Sequence, residues 1–169
     1  MYKTLELSSK IKLIVSDFDG IFTDNSVYIL DEETKLKKLS FKDLMGISVC
    51  LKNGIKFAII SGEKCPQIDY VAEKFALEDI HQGIRNKLPV LQQIKEKYSL
   101  ADDEILYVGD DINDIECLNS VKYAITVPEA NYKVKEIKHL QYTKSCAGNG
   151  AFREIVDNLV ELKNTIVQV

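Results

Sequence analysis

Short apolar runs alternate with helical patterns along this chain of 169 residues. The apolar runs contain four to six residues each and lie at residues 11–16, 55–60, 105–108 and 123–127, with a weaker run around Ile80. Near-continuous apolar runs of this length are typical of strands that are buried on both faces of a parallel sheet. The alternation therefore predicts an α/β fold with a doubly wound parallel sheet.

The segments between the runs carry helix signals. A helix over residues 43–53 is expected to end at Gly54, because glycine commonly terminates helices. Pro66 stands where a first-turn proline is favoured, and Asn86 is expected to cap a third helix. A last helix presents one apolar face, formed by Phe152, Ile155, Val156, Leu159 and Leu162. Since there is no internal repeat and no linker, residues 1–169 are predicted to form one domain.

Two strand-like segments interrupt the alternation directly after the first predicted strand. Residues 26–30 and 36–41 flank a polar turn at residues 31–34, so a β-hairpin insert is expected over about residues 25–42. Its apolar side chains are too many for an isolated two-stranded ribbon in water. They are Val27, Ile29, Leu36, Leu39 and Phe41. We expect them to pack against something else, such as a second subunit.

Composition narrows the location and the partners of the chain. With 46% hydrophobic and 28% charged residues, the sequence is that of an ordinary globular protein, and no apolar run approaches the ~20 residues of a membrane span. The net charge of -4 disfavours a nucleic-acid partner. Residues 1–10 lack the apolar core of a secretory signal, so we expect a cytoplasmic protein without a membrane partner.

Cysteine and arginine counts add two constraints. The four cysteines are widely spaced, which predicts reduced thiols rather than a disulfide framework or a zinc site. Only two of the 22 basic residues are arginines, Arg85 and Arg153. Because arginine binds carboxylates and phosphates in a bidentate manner, both are candidates for binding an anionic ligand.

Polar residues follow the predicted strands where open α/β sheets bind ligands. Asp17 and Asp19 are two residues apart in an extended segment, so their side chains point to the same side. Each feature alone is more often an ordinary turn or a solvated helix start. Their joint occurrence in this order indicates a site, which comprises Asp17, Asp19, Ser61, Gly62, Lys87, Asp110 and Asp111.

Carboxylates gathered at one sheet edge repel each other and any phosphate. A divalent cation relieves that repulsion, and hard oxygen ligands with a phosphate substrate suit Mg²⁺. One carboxylate can then attack phosphorus to form an aspartyl-phosphate, while the other, if protonated, donates to the leaving alkoxide and later activates water. Ser61 and the Gly62 N–H would hold phosphoryl oxygens, and Lys87 would pair with the nucleophile.

These motifs resemble those of the haloacid dehalogenase superfamily of phosphatases. The likeness is closer to its small capless branch, the 3-deoxy-D-manno-octulosonate 8-phosphate and nonulosonate 9-phosphate phosphatases. Residues 17–24 match D-x-D-G-x-x-T-D, residues 42–47 match a K-D-x-x-G-I-like segment, and residues 148–154 match G-x-G-A-x-R-E. The resemblance implies a Rossmann-like sheet with an inserted hairpin and no cap domain.

Carried over by position, the resemblance assigns roles to individual residues. Asp17 is the expected nucleophile and Asp19 the general acid/base, with catalytic roles for Ser61 and Lys87. The resemblance places Mg²⁺ on Asp17, on the Asp19 backbone carbonyl and on Asp110, with Asp111 and Asp114 in support. The substrate-binding residues that it implies are Thr23, Gly62, Glu63, Lys74 and Arg153.

The residue after the Ser-Gly pair bears on the substrate. Octulosonate phosphatases typically have arginine there, whereas this chain has Glu63, as the nonulosonate 9-phosphate phosphatases of sialic-acid-type pathways do. The resemblance thus favours a nonulosonate 9-phosphate, with octulosonate 8-phosphate of lipopolysaccharide synthesis as the alternative. Glu63 can equally be a first-turn acid favoured by the helix dipole, and Arg153 an ordinary helix-surface ion pair. Asn25 and Leu44 depart from the family pattern, because glycine is usual at the first position and glycine or serine at the second.

The family also implies an assembly, since its subunits form tetramers in which a neighbour's hairpin and C-terminal segment close the site. A homotetramer acting on a phosphorylated sugar acid is therefore expected. The same fold occurs as a non-catalytic oligomerisation module, but such modules usually lose motif residues that this chain retains. A response-regulator receiver is disfavoured because Lys87 precedes Asp110, and an EF-hand because Phe22 replaces its glycine. Dehalogenase chemistry is disfavoured because it does not use an acid at the position of Asp19.

Overall fold

Six parallel strands form the central sheet of the computed structural model, which describes residues 5–32 and 34–167. The strands in chain order are β1 (Leu13–Ser16), β2 (Tyr28–Ile29), β3 (Lys35–Leu36), β4 (Lys56–Ile60), β5 (Asp79–His81), β6 (Ile105–Val108), β7 (Tyr123–Thr126) and β8 (Gln141–Tyr142). The sheet order is β5-β4-β1-β6-β7-β8, and β2 pairs with β3 as a separate antiparallel hairpin. The predicted α/β fold with an inserted hairpin is confirmed.

Helices connect the strands of this sheet. They are α1 (Phe41–Lys52), α2 (Pro66–Phe75), α3 (Leu88–Lys97), α4 (Ile115–Ser120) and α5 (Ala151–Val167). Short 3₁₀ turns occur at Asp102–Glu104, Ile112–Asp114 and Val134–Glu136. Within the described part of the chain, no helix combines the length and the apolar character that crossing a membrane requires.

The core is centred on β1 and β6, all of whose residues are buried. Three phenylalanine rings extend that core to the loop after β1 and to the last helix. The Phe152 ring of α5 lies with its centroid 4.7 Å from that of Phe22 and 4.8 Å from that of Phe57 in β4. Aromatic contacts at these distances add to the stabilisation that burial provides, so the loop after β1 is anchored on α5.

Helices α1 and α5 meet through two of the family segments. The buried Asp43 carboxylate accepts hydrogen bonds from the backbone N–H groups of Gly150 at 2.9 Å and Arg153 at 3.2 Å. A Cβ atom on Gly46 would lie 3.0 Å from Phe152 Cδ1 and 3.1 Å from Arg153 Cα, so any larger residue would force α5 to shift by a few tenths of an ångström. The K-D-x-x-G-I-like and G-x-G-A-x-R-E segments therefore pack α1 against α5.

The loop before α5 also supports the loop after β1. The Gly148 N–H donates to the Ile21 carbonyl at 2.9 Å, and a Cβ atom on Gly148 would lie 2.7 Å from the carbonyl carbon of Thr23. Gly148 has a φ of 60°, which L-residues with side chains rarely adopt. The loop before α5 therefore packs against the D-x-D-G-x-x-T-D loop, although the two are far apart in the sequence.

The structure corrects some predicted boundaries. The second hairpin strand was expected to reach Phe41, but Phe41 is the first residue of α1, because the Ser40 hydroxyl accepts the Lys42 N–H at 3.2 Å and starts the helix. Asn86 was expected to cap α3, but Lys87 is already helical (φ −81°, ψ −27°) and is itself the N-cap. Pro66 is at the first turn of α2, as predicted.

The structure can also be compared with the predictions made for the hairpin, the cysteines and the chain ends. The hairpin strands are only two residues long each, and most of the hairpin's apolar side chains are exposed, Ile29 by 66%. All four cysteines are free thiols, and only Cys146 is exposed. Residues 1–4 of the polar N-terminus, residue 33 of the predicted turn and residues 168–169 of the predicted domain lie outside the described residues.

Candidate active site

A cavity of about 410 Å³ opens at the carboxyl ends of the neighbouring strands β1, β4, β5 and β6. This edge of a parallel sheet is where α/β proteins bind ligands. Acidic and polar residues from four loops line it: Asp17, Asp19, Asn25, Ser61, Gly62, Glu63, Arg85, Asp110, Asp111 and Asn113. The structure therefore brings together most of the residues that the sequence assigned to one site.

Lys87 lies beneath this cavity and connects two of its acids. Its ammonium is fully buried and lies 2.8 Å from Asp17 Oδ2 and 2.8 Å from Asp114 Oδ1. Burial alone would lower the pKa of Lys87, but the carboxylates of Asp17 and Asp114 outweigh it and raise that pKa. Lys87 is therefore a permanent cation that orients the Asp17 carboxylate.

Both carboxylate oxygens of Asp114 are occupied by protein donors. Oδ1 accepts from Lys87 and from the Tyr107 hydroxyl at 2.7 Å, while Oδ2 accepts the N–H groups of Asp110 at 3.1 Å and Asp111 at 3.2 Å. A Cβ atom on Gly109 would lie 2.4 Å from Asp114 Cγ, so glycine is required beside it. Asp114 thus positions Lys87 and the loop after β6.

The acids around Lys87 are spaced as a cation site requires. One oxygen each of Asp17, Asp110 and Asp114 lies within 4.8 Å of the others, and all three residues are buried. Burial, reinforced by Asp114, raises the pKa of Asp17 well above its ordinary value. Burial also raises the pKa of Asp110 to about 7. Since Asp114 has its donors, Asp17 and Asp110 are the carboxylates that fit a hard divalent cation such as Mg²⁺.

Asp19 is held by two partners on the side of the inserted hairpin. Its Oδ1 accepts from the Thr23 hydroxyl at 3.1 Å, and its Oδ2 lies 2.6 Å from the Lys37 ammonium. The Thr23 oxygen in turn accepts the N–H groups of Gly20 at 3.3 Å and Asn25 at 3.4 Å. Thr23, predicted to bind substrate, is fully buried behind Asp19, where it organises the turn.

Asn25 explains one departure from the family pattern. Its φ of 60° lies in the left-handed region, which glycine adopts readily and asparagine tolerates better than most residues. In addition, Asn25 Nδ2 donates to Asp110 Oδ2 at 2.9 Å. The side chain that replaces the usual glycine therefore positions a candidate metal ligand.

The Ser61-Gly62-Glu63 loop forms the β4 side of the cavity. Ser61 is almost fully buried, and its Oγ accepts the Glu63 N–H at 3.2 Å. A Cβ atom on Gly62 would lie 3.2 Å from Asn113 Nδ2, so the backbone approaches the loop after β6 closely. Ser61 and the N–H groups of this turn are available to hold an oxyanion above Asp17.

Two predicted substrate-binding residues lie elsewhere in the chain. Lys74 lies in the last turn of α2, where its ammonium donates to the Tyr70 hydroxyl at 3.0 Å. Arg153 Nε donates to Asp157 Oδ1 at 2.7 Å, an i,i+4 ion pair on α5. Neither lines the cavity formed by this one chain.

Sequence reasoning also missed residues that the structure brings to the site. Lys37 has no local signal, since it is one of several lysines in the hairpin. In the sequence, Tyr107 looks like an ordinary residue of the apolar strand at residues 105–108. A polar partner for Tyr107 could have been expected only because a buried tyrosine hydroxyl normally requires a hydrogen bond. Asn113 also lines the cavity, one residue before Asp114, whereas Arg85 had been singled out from the sequence as one of two arginines.

Comparison with known proteins identifies the family of this site. A model of haloacid dehalogenase-like hydrolases matches residues 76–155. The 3-deoxy-D-manno-octulosonate 8-phosphate phosphatase of Escherichia coli strain K12 is 30% identical over 154 residues, which cover 90% of this chain and 81% of that protein. The chain belongs to the haloacid dehalogenase family. It is a phosphatase of this family, as the motifs predicted.

Other haloacid dehalogenase proteins extend the likeness. The Yersinia pestis octulosonate 8-phosphate phosphatase is 25% identical over 153 residues, with 90% of this chain and 81% of that protein covered. A crystal structure of the Moraxella catarrhalis enzyme of the same name contains a magnesium ion, a phosphate ion and a KDO molecule. It has a TM-score of 0.87 and 28% identity to this phosphatase, over 95% of this chain and 91% of that one.

Proposed function

We propose that this phosphatase hydrolyses the phosphate monoester of a 2-keto-3-deoxy sugar acid in the presence of Mg²⁺, through an aspartyl-phosphate on Asp17. The observation that carries the proposal is the Lys87 ammonium, 2.8 Å from Asp17 Oδ2 and buried beneath the cavity. It orients the buried Asp17 carboxylate and opposes the rise in that carboxylate's pKa, and both effects favour a nucleophile. A second acid, Asp19, lines the same cavity for proton transfer.

The reaction would proceed in two displacements. In the first, an Asp17 oxygen forms a bond to phosphorus and the bond to the sugar oxygen breaks, while Asp19 gives its proton to the departing alkoxide. In the second, Asp19 takes a proton from water, whose oxygen attacks phosphorus and releases phosphate from Asp17. Ser61, the Gly62 N–H and Lys87 stabilise the charge on the transferring group in both steps.

The acid cluster supports a role for Mg²⁺. Asp17 and Asp110 would hold the cation, with the Asp19 backbone carbonyl as a further ligand, and Asp111 and Asp114 would support the ligand loop. When bound, the cation neutralises the phosphate oxygens and the carboxylates that face them. The raised pKa values of Asp17 and Asp110 support this proposal, because they indicate buried negative charge that nearby cationic groups do not fully balance.

The substrate that we propose is a nonulosonate 9-phosphate. Glu63 supports it, since this residue lines the cavity at the position where octulosonate phosphatases typically carry arginine. The names of the relatives favour a second candidate, 3-deoxy-D-manno-octulosonate 8-phosphate. Both candidates are phosphorylated 2-keto-3-deoxy acids, so the reaction is the same and the length of the carbon chain differs.

We further propose that single-domain, capless subunits assemble into a cytoplasmic homotetramer in which a neighbour closes the site. Exposed apolar side chains on the hairpin support this, because such a patch in a monomer would be open to water. They are Val27, Tyr28, Ile29, Leu30 and Leu36. Lys74 and Arg153 lie outside this chain's cavity, so any contact of either residue with substrate would have to cross a subunit boundary. Light scattering of the purified protein measures the assembly directly.

Phosphate release from both sugar acids tests the proposed reaction. The wild type should release phosphate with Mg²⁺ and lose activity with a chelator, and it should prefer the nonulosonate 9-phosphate. Asp17→Asn should lose at least about 10³-fold in kcat while remaining folded, because the amide cannot attack phosphorus. A wild type as inactive as Asp17→Asn on every phosphate ester would instead indicate the non-catalytic module. A preference for the octulosonate would reject the role given to Glu63.

A further inference from the structure

Arg85 lines the active-site cavity but has no role in the chemistry above. It lies in the loop between β5 and α3, two residues before Lys87, and its side chain is exposed. Among the described residues, no carboxylate lies within ion-pair distance of its guanidinium, whereas Arg153 is paired with Asp157. Of the two arginines in the chain, Arg85 is thus the one whose guanidinium is available to a ligand.

The backbone of this loop is fixed although the Arg85 side chain is not. Ile84 N–H donates to the Ser61 carbonyl at 2.9 Å, and Gly83 N–H donates to the Glu63 carbonyl at 3.4 Å. On the other side of Arg85, the buried Lys87 ammonium is anchored on Asp17 and Asp114. Arg85 is therefore presented from a rigid loop, which lowers the entropic cost of binding a ligand.

Arg85 differs in charge from the other ionisable residues that line the cavity. Five acids line the cavity, namely Asp17, Asp19, Glu63, Asp110 and Asp111, and Arg85 is the only cationic residue among the lining residues. Lys37 and Lys87, two ammonium groups close to these acids, are engaged by Asp19, Asp17 and Asp114. Among the charged side chains of this lining, Arg85 alone would therefore attract a second anionic group on a substrate.

The sheet order separates the strand that precedes Arg85 from the strands that carry the candidate cation ligands. Strand β5 is two positions from β1, on the side opposite β6, which carries Asp110. At the usual strand spacing, β5 lies about 10 Å from β1 at the level of the sheet. Because Arg85 and Asp17 line the same cavity, a substrate whose phosphate lies over Asp17 would present another of its groups to Arg85.

We propose that Arg85 binds the carboxylate of the sugar-acid substrate and selects acids over neutral sugar phosphates. The guanidinium fork matches a carboxylate in a bidentate manner, which a lysine ammonium does not. This inference rests on the proposed sugar-acid substrate. It gives to Arg85 the role that the family resemblance suggested for Arg153, because Arg85 lines the cavity and has no protein partner there.

The test compares Arg85→Gln, Arg85→Lys and Arg153→Gln on two substrates, the sugar-acid phosphate and p-nitrophenyl phosphate, which has no carboxylate. Arg85→Gln should raise KM for the sugar-acid phosphate by about 10- to 100-fold, the usual effect of losing a charged hydrogen-bond partner. Its kcat, and its kcat/KM on p-nitrophenyl phosphate, should stay within about two-fold of wild type. Arg85→Lys should be intermediate, and Arg153→Gln should resemble wild type on both substrates.

Inhibition of p-nitrophenyl phosphate hydrolysis by the free sugar acid gives a second readout. The acid should inhibit the wild type and lose at least about ten-fold in potency on Arg85→Gln. Equal losses on both substrates, an unchanged KM, or a loss confined to Arg153→Gln would overturn the role of Arg85 alone. A wild type that hydrolyses p-nitrophenyl phosphate but neither hydrolyses nor binds sugar acids would reject the proposed substrate, and the role of Arg85 with it.

Discussion

The Lys37 ammonium lies 2.6 Å from Asp19 Oδ2. Lys37 directly follows β3 in the inserted hairpin, and its side chain is only 14% exposed, unlike most of the hairpin. Because Thr23 donates to the other oxygen of Asp19, both oxygens of the proposed acid/base are held in the resting site. The hairpin is therefore part of the active site as well as a surface for a neighbour.

Replacing Lys37 by methionine should lower kcat roughly ten-fold, because the Asp19 carboxylate loses the partner that orients it. Lys38→Met is the matched control, since Lys38 is the next residue and pairs with Asp24 at 2.9 Å with its own side chain 56% exposed. Exposed pairs contribute little, so Lys38→Met should stay within about two-fold of wild type. Steady-state kinetics decide this, and equal rates for the two variants would contradict the positioning role.

Mg²⁺ should raise the melting temperature of the wild type but not that of Asp110→Asn. A ligand at 100 times its dissociation constant adds about 2.7 kcal/mol to the stability of the state it binds. Without Mg²⁺, Asp110→Asn should melt no lower than wild type, because it removes a buried carboxylate beside Asp17 and Asp114. Asp103→Asn, a surface substitution 3.3 Å from Lys10, controls for net charge and should respond to Mg²⁺ as wild type does. A full Mg²⁺ response in Asp110→Asn would exclude Asp110 as a ligand.

Gly46→Ala should destabilise the protein although alanine favours helices. The added Cβ would lie 3.1 Å from Arg153 Cα, and overpacking of this kind typically costs about 1–3 kcal/mol. Ser48→Ala in the same helix tests helix propensity without this contact and should stay within about 0.5 kcal/mol of wild type. Urea unfolding measures both variants. A stabilised Gly46→Ala protein would mean that α1 and α5 can separate at little cost.

Asp79 should stabilise the fold at neutral pH and lose this effect in acid. Burial alone would raise the pKa of Asp79, but hydrogen bonds from Lys97 and Tyr98 outweigh it and lower that pKa below 3.8. A lowered pKa means that the stabilisation is complete above about pH 4 and is lost as the pH falls through the pKa of the folded state.

Asp79→Asn is therefore expected to lower the free energy of unfolding by about 1–2 kcal/mol at pH 7 and by less at pH 3. Glu78→Gln is the control, because Glu78 is exposed and 4.0 Å from the same Lys97. Urea titrations at the two pH values measure the difference. A difference between Asp79→Asn and wild type that does not shrink in acid would show that the Asp79 charge is not responsible.

The positions of Asp17, Asp19, Ser61 and Asp110 could be predicted from sequence, because each follows an apolar strand of one parallel sheet. In such a sheet the carboxyl ends coincide, so strand order matters little for bringing them together. Lys37 could not be predicted, because its contact with Asp19 depends on how the hairpin folds back over the sheet edge.

The extent of the hairpin strands was overestimated for a related reason. Apolar alternation marks extended backbone but does not show where cross-strand hydrogen bonds stop, and here the ladder covers two residues on each strand. The placement of Lys74 and Arg153 came from the family resemblance. Their actual partners, Tyr70 and Asp157, are local to their own helices, and such i,i+4 contacts were readable from the spacing.

The contact between Gly148 and the Thr23 backbone joins segments that are far apart in the sequence. A growing polypeptide on the ribosome has made every cavity-lining residue by Asn113, yet the loop carrying Asp19 lacks the contacts from Gly148 and α5 until those have emerged. Such distant contacts form late, because a long loop must close first. Nascent chains should therefore acquire their acidic residues early and their enzymatic competence only near the end of synthesis.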